Sequence, residues 1–245
     1  MVEDCRNPQV FGIHYDGAWA EHVTVPWYQL AAVPDAVSPE HAAIACDAVA
    51  TPFAALSDRA ALRPGERVGL WGIGGLGTHA VQIARLMGAS FVAAVDPIPE
   101  ARDRAVALGA DLALDPDEDV PTAIRDATGG RGLDVALDLV GRSAVIKQAM
   151  RSLGWGGRVV AVGQSMEPVE AGPLLVVSFL GLGILGHLGY KKRHLEAVLE
   201  LIAAGRLDLS RSVSATVSLD NVNDGVDRLS AKSGAPVRIL VLPNA

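Results

Sequence analysis

Between residues 67 and 190 the chain alternates short apolar runs with stretches of helical periodicity, and this rhythm constrains its fold more than any other feature. Residues 67–73 form the first apolar run. Residues 76–88 follow, with Leu76, Ala80, Ile83, Ala84 and Met87 on one helical face. Residues 90–96 read as a second strand, 100–109 as a helix stopped by a glycine, and 111–114 as a short third strand. A helix over 121–128, a strand over 133–140, a helix over 144–153 and a strand over 158–163 continue the series. Residues 182–189 are expected to be a sixth strand. Strands alternating with helices of about ten residues build βαβ units and a parallel sheet. Their apolar composition suits strands covered on both faces. Right-handed crossovers then give a doubly wound α/β fold.

The flanks lack this rhythm. Residues 1–50 contain strand-like pieces at 18–25 and 29–33, with turns at Pro26, Pro34 and Pro39. After a helix expected over 194–205 come a strand (213–218), a helix (220–230) and a last strand (237–242). The flanks are expected to form part of a second, β-rich domain, which divides the chain into 1–50, 51–190 and 191–245. The most apolar stretch, 173–189, is interrupted by glycines and Ser178, and reads as buried strand rather than membrane span. A net charge of −7 with no basic block argues against a nucleic-acid partner. The N-terminal residues have no basic region followed by an apolar one, so no signal peptide is expected. Cys5 and Cys46 are the only cysteines, too few for a disulfide framework, and a cytoplasmic protein is the default.

Gly72, Gly74 and Gly77 match G-x-G-x-x-G, directly after an apolar strand and at the start of an amphipathic helix. Asp96 ends the second strand 19 residues after Gly77. Together these make a dinucleotide fingerprint. Gly72 allows the tight turn, Gly74 lets a pyrophosphate approach the backbone, and Gly77 lets the helix sit close to the sheet. The loop residues Gly75 and Leu76 lead into a helix N-terminus whose free N–H groups favour phosphate. Asp96 suits the two hydroxyls of the adenosine ribose and repels a 2′-phosphate, so NAD is expected over NADP. The bland alternative is a glycine-rich turn beside a solvated aspartate. Arg102 either lines the adenosine pocket or is a solvated helix arginine.

Several stretches carry a resemblance. They are Leu62-Arg63-Pro64-Gly65-Glu66-Arg67-Val68, the glycine loop, Val95-Asp96, Asp16-Gly17-Ala18-Trp19-Ala20-Glu21 and Leu108-Gly109-Ala110-Asp111. Asp138-Leu139-Val140-Gly141, Gly156-Gly157-Arg158-Val159-Val160 and Val237-Arg238-Ile239-Leu240-Val241-Leu242 also belong to it. Nearly the whole chain resembles the zinc-dependent alcohol dehydrogenases of the medium-chain dehydrogenase/reductase superfamily. The resemblance implies a Rossmann domain and an incomplete GroES-like β-rich catalytic domain. It also implies NAD-dependent, zinc-assisted oxidation of a primary or secondary alcohol to an aldehyde or ketone, in a homodimer or homotetramer. It places two catalytic zinc ligands and the proton relay upstream of position 1, so the chain is expected to be N-terminally truncated, with its catalytic residues unknown.

By the same resemblance Cys5 is one ligand of an incomplete structural zinc. Asp47, four residues before Thr51, is the third catalytic zinc ligand, with Cys46 as the alternative. Either side chain can ligate zinc. The bland reading is a helix N-cap aspartate beside a buried thiol. Val140, Val162 and Gly163 are implied along the nicotinamide end, and Arg238 at the pyrophosphate; all four also read as ordinary strand or surface residues. No histidine has metal-ligand spacing. His79 reads as structural and His187 as a weak polar-site candidate. Two rival functions stand beside this one: a non-catalytic dinucleotide-binding remnant, and a zinc-free quinone reductase, against which Cys5 and Asp47 count.

Overall fold

Pro39 opens an unbroken helical run that ends at Arg59. The structure, a computed structural model, describes residues 9–232 and 234–243. Ser38 caps the run by accepting the His41 N–H at 3.3 Å, and Pro39 occupies the first turn, where no backbone donor is needed. The run consists of α1 (Pro39–Ile44), a π-helical turn (Ala45–Val49), α2 (Ala50–Ala54) and a second π-helical turn (Ala55–Arg59). Pro52 has no N–H to offer the Ala48 carbonyl, and the flanking turns take the wider spacing, with Ala50 N–H donating to Ala45 O and Ala60 N–H to Ala55 O.

The alternating region follows as β1 (Arg67–Trp71), α3 (Gly77–Leu86), β2 (Phe91–Val95), α4 (Pro99–Ala107), β3 (Leu112–Leu114) and α5 (Val120–Ala127). It continues as β4 (Leu133–Asp138), α6 (Ser143–Ser152), β5 (Leu153–Ala161), α7 (Leu174–Leu180) and β6 (Gly183–Gly186). The strands form one parallel sheet in the order β3-β2-β1-β4-β5-β6. The chain winds outward from β1 to β3 and returns to β4, so the switch point lies between β1 and β4. Register aligns the carboxyl ends. Trp71 pairs with Val95 and Asp138, Val95 with Leu114, Asp138 with Ala161, and Ala161 with Gly186. The loops after β1, β2, β4 and β5 therefore share one edge.

Val68, Leu70, Trp71, Ile83, Val92, Ile124, Leu133, Leu137 and Val159 are buried around this sheet. Each contributes about 1.5–3 kcal/mol by leaving water. Two arginine–carboxylate forks tie the amino ends. Arg67 donates Nε–H and Nη2–H to Asp134 at 2.7 Å each, and Arg158 donates Nη1–H and Nη2–H to Glu66 at 2.9 Å each.

Contacts divide the chain into a unit formed by Thr51–Leu188 and a unit formed by Met1–Ala50 with Gly189–Ala245. The second holds α1, α8 (Lys192–Ala203), β7 (Val213–Ser218), α9 (Val222–Ala231) and β8 (Arg238–Leu242). β7 and β8 pair in parallel, with Thr216 opposite Leu240.

Two expectations are corrected. Residues 18–25 and 29–33 form no strand; instead Trp27–Gln29 is a single 3₁₀ turn. A strand persists only where a neighbour takes its backbone bonds, and Trp19, Trp27 and Tyr28 are exposed. Residues 173–189 are not a continuous buried strand. Pro173 presets the entry to helix α7, and Gly181, at φ +64°, stops it. Leu174, Leu175 and Phe179 lie exposed on this helix, and only Gly183–Gly186 is strand. No helix among the described residues is long and apolar enough to cross a membrane.

Candidate dinucleotide site and the Asp47 corner

The three fingerprint glycines meet three different surroundings. Gly72, at φ +91°, donates its N–H to Val95 O at 2.9 Å, and a Cβ there would stand 2.8 Å from Val140 Cγ2. Gly77 is buried, and a Cβ would collide with the Gly72 carbonyl oxygen. Gly74 is exposed, and a Cβ would meet nothing within 4 Å. The open approach is thus at Gly74, and the close packing at the other two. Leu76 is the N-cap of α3; the first ladder bonds are Thr78 N–H to Gly74 O at 3.0 Å and Ala80 N–H to Leu76 O at 2.9 Å. The amides of Gly75, Leu76 and Gly77 precede that ladder at the positive end of the helix, as phosphate binding requires.

Asp96 is not a solvated aspartate. It is 7% exposed; Oδ2 accepts the Ile73 N–H at 2.7 Å and Oδ1 accepts the Ile98 N–H at 2.9 Å. A carboxylate has about four acceptor positions, so two remain. Arg102 donates Nη1–H to Asp96 O at 2.7 Å and to Asp115 Oδ2 at 2.8 Å, which ties it to the backbone of the aspartate. The ring of His79 lies buried, with Nδ1 2.7 Å from Gly75 O. Sequence reasoning missed Arg104. Its Nη2–H donates to Ile73 O at 2.7 Å and its Nε–H to Thr78 Oγ1 at 3.1 Å. The contacts join residues 31 and 26 positions apart, which no local pattern encodes.

At the ends of β4 and β5, buried Asp138 organises the backbone. Its Oδ1 accepts the Val140 and Gly141 N–H groups at 2.9 Å, and its carbonyl accepts those of Val162 and Gly163 at 2.9 Å. Burial pushes its carboxyl up, against the pull of the two amides. A Cβ on Gly163 would collide with the Gly141 amide nitrogen, so the two loops touch through backbone. Val140 thus lies beside Gly72 at the switch point, and Val162 and Gly163 lie one strand further along the same edge, against Asp138 and Gly141. Val140 is exposed and Val162 buried. His187 is buried at the adjoining end of β6, with its N–H on Ala161 O at 2.9 Å.

In the other unit, Cys46 and Asp47 sit on the first π-helical turn. The Asp47 carboxylate, 68% exposed, lies 3.5 Å from Arg238 Nη2. The Arg238 guanidinium is lowered by burial, against the attraction of Asp47. Cys46 Sγ donates to Ala42 O at 3.4 Å and shares a hydrogen bond with the Tyr190 hydroxyl. Burial pushes both groups up. Zinc needs deprotonated ligands, four of them in a closed site or three plus water in a catalytic one. Among the described residues no three His, Cys, Asp or Glu side chains are arranged to hold a metal ion, and Asp47 already faces a cation. These residues do not by themselves hold zinc. Cys5 lies outside the described residues.

The strand order, with a glycine loop at its switch point, defines a doubly wound dinucleotide-binding fold. A family model, Zinc-binding dehydrogenase, matches residues 75–204, and the chain belongs to that family. An alcohol dehydrogenase of Geobacillus stearothermophilus is 33% identical over 226 residues, 92% of this chain and 65% of that protein. The chain thus spans just under two thirds of that relative's length. An NAD-dependent alcohol dehydrogenase of Sulfurisphaera tokodaii is 30% identical over 241 residues, covering 97% of this chain and 68% of its own length. A zinc-binding dehydrogenase structure from Sinorhizobium meliloti 1021, bound to NADP, superposes with a TM-score of 0.89 at 31% identity, covering 99% of this chain and 70% of that one.

Proposed function

We propose that the chain binds NAD at the carboxyl edge of the sheet, and that it is the cofactor-binding part of an alcohol dehydrogenase that moves a hydride from a primary or secondary alcohol to NAD. The open Gly74 position beside the anchored Asp96 carries this reading. The amides of Gly74, Gly75, Leu76 and Gly77 face the pyrophosphate, and the free acceptor positions of Asp96 take the adenosine ribose hydroxyls. Arg102 backs that pocket, and Val140, Val162 and Gly163 border the nicotinamide end. Arg238 is assigned to the pyrophosphate and Asp47, or Cys46, to zinc, on the resemblance alone; no chemical step is assigned to them. The flanks 1–50 and 191–245 are assigned to a GroES-like catalytic domain, and 51–190 to the cofactor domain. The partners are the alcohol and its aldehyde or ketone, in the cytoplasm. A second copy of the chain is a further partner. It fits the exposed Trp155–Phe179 pair, whose ring centroids are 4.9 Å apart, in the unit whose sheet ends at β6.

One relative is NAD-dependent by name and one neighbour holds NADP, so cofactor choice is the informative test. The negative Asp96 repels a 2′-phosphate, so fluorescence titration is expected to show tighter binding of NADH than of NADPH, and Asp96→Ser is expected to narrow the gap. Equal affinities in the unmodified chain overturn NAD; binding of neither overturns the dinucleotide reading. The rival reading is binding without turnover. NADH production over a panel of primary, secondary and cyclic alcohols separates the two.

A further inference from the structure

We propose that Arg104 is a positioning residue for the pyrophosphate, because it fixes the direction in which the Gly74 amide points; the proposal rests on the dinucleotide reading above. Arg104 stands on α4 and reaches the glycine loop with two donors, Nη2–H to Ile73 O at 2.7 Å and Nε–H to Thr78 Oγ1 at 3.1 Å. The Thr78 hydroxyl also donates to Ile73 O, at 3.3 Å. On its other side, the Ile73 N–H is held by Asp96 Oδ2 at 2.7 Å, and the Ile73 side chain is fully buried. Ile73 is thus held through its donor, its acceptor and its side chain.

The peptide that joins Ile73 to Gly74 is a rigid plane, with its C=O and N–H on opposite sides. The Ile73 carbonyl turns inward, to Arg104 and Thr78. The Gly74 N–H therefore turns outward. That is the exposed side, where a Cβ on Gly74 meets nothing within 4 Å. Arg104 thus holds this peptide as a donor of fixed direction beside the start of α3. Its charge has a second effect. The guanidinium is attracted to the Asp96 carboxylate, and so offsets the repulsion between that carboxylate and an arriving pyrophosphate. With a neutral side chain at 104, the Ile73 carbonyl keeps only the longer Thr78 bond, and the plane is free to turn.

The test compares the unmodified chain with Arg104→Met, Arg104→Lys and Thr78→Val. The probes are adenosine, ADP-ribose and NADH, titrated by calorimetry and by the amide NMR spectrum. Arg104→Met is expected to weaken ADP-ribose and NADH about tenfold, the worth of one charge-assisted hydrogen bond. Adenosine, which lacks the pyrophosphate, is expected to stay within about twofold. Arg104→Lys restores part of the loss, since an ammonium can still reach one acceptor. The shift of the Gly74 amide on adding ADP-ribose is expected to shrink in Arg104→Met. Thr78→Val keeps the side-chain shape and is expected to show the same ligand pattern at about threefold, which covers the case of a poorly folded Arg104→Met. Unchanged ADP-ribose affinity in Arg104→Met, or equal loss for adenosine and ADP-ribose, overturns the proposal and leaves the dinucleotide reading standing. Absence of NADH binding in the unmodified chain overturns both.

Discussion

Adding one methyl group at Gly74 and one at Gly77 is expected to give opposite results, although the residues are three apart. Gly74 has an ordinary backbone conformation, and its new Cβ meets nothing within 4 Å. Gly74→Ala therefore introduces no clash, and the loss of unfolded-chain freedom raises stability by about 0.5 kcal/mol. The same methyl stands where an anion must approach the backbone. It holds a phosphate oxygen at van der Waals distance and forfeits one charge-assisted bond, about 1.5–3 kcal/mol, or roughly 10- to 150-fold in affinity. At Gly77 the Cβ collides with the Gly72 carbonyl oxygen and comes 3.3 Å from Leu139 Cδ1. Such overpacking costs about 1–3 kcal/mol and moves the loop. Gly77→Ala is expected to lower the melting temperature by roughly 2–4 °C per kcal/mol lost and to weaken NADH as well. Thermal melts and NADH fluorescence titration on the same preparations separate stability from affinity. Normal NADH affinity in Gly74→Ala would refute the reasoning, since the anion would then not approach the loop at the open position.

Dialysed chain is expected to retain well under one zinc per molecule by elemental analysis; a full equivalent kept against chelator would reveal ligands beyond the described residues. Acid stability is the other test. Burial pushes Asp134 and Glu66 up, but the Arg67 and Arg158 hydrogen bonds outweigh it and hold both carboxyls below their usual range. Stability from a depressed carboxyl is present above its unfolded value, about pH 4, and is lost as pH falls through the folded value. Asp134→Asn is expected to be about 1–3 kcal/mol less stable than the unmodified chain at pH 7, with the difference closing towards pH 2. A difference that persists at pH 2 would exclude this origin.

The parallel sheet was legible in the sequence because its strands are buried on both faces and leave nearly pure apolar runs, such as residues 68–73. The glycine loop was legible because its backbone geometry excludes other residues at Gly72 and Gly77. Elements defined by distant partners were not. Strands were expected over 18–25 and 29–33 from apolar and aromatic content, yet a strand is completed only by a neighbour's backbone bonds. Helix α7 carries strand-like apolar content in Leu174, Leu175 and Phe179, and the bracket of Pro173 and Gly181 is the better signal. In the site, Asp96 followed from its distance to the loop, whereas Arg104 looks like any arginine on an exposed helix until the fold brings it to Ile73.

The division of the chain into units has a consequence for its synthesis. Thr51–Leu188 is continuous in sequence, whereas the other unit draws on both Met1–Ala50 and Gly189–Ala245. A ribosome adding about 5–20 residues per second takes roughly 7–28 s to make the stretch between those two pieces. The first piece therefore waits, incomplete, while the sheet from β1 to β6 can already close. Cys46 must wait for Tyr190, and Asp47 for Arg238, 191 residues later. A nascent chain can thus complete its glycine loop and Asp96 anchor well before the Asp47 corner exists.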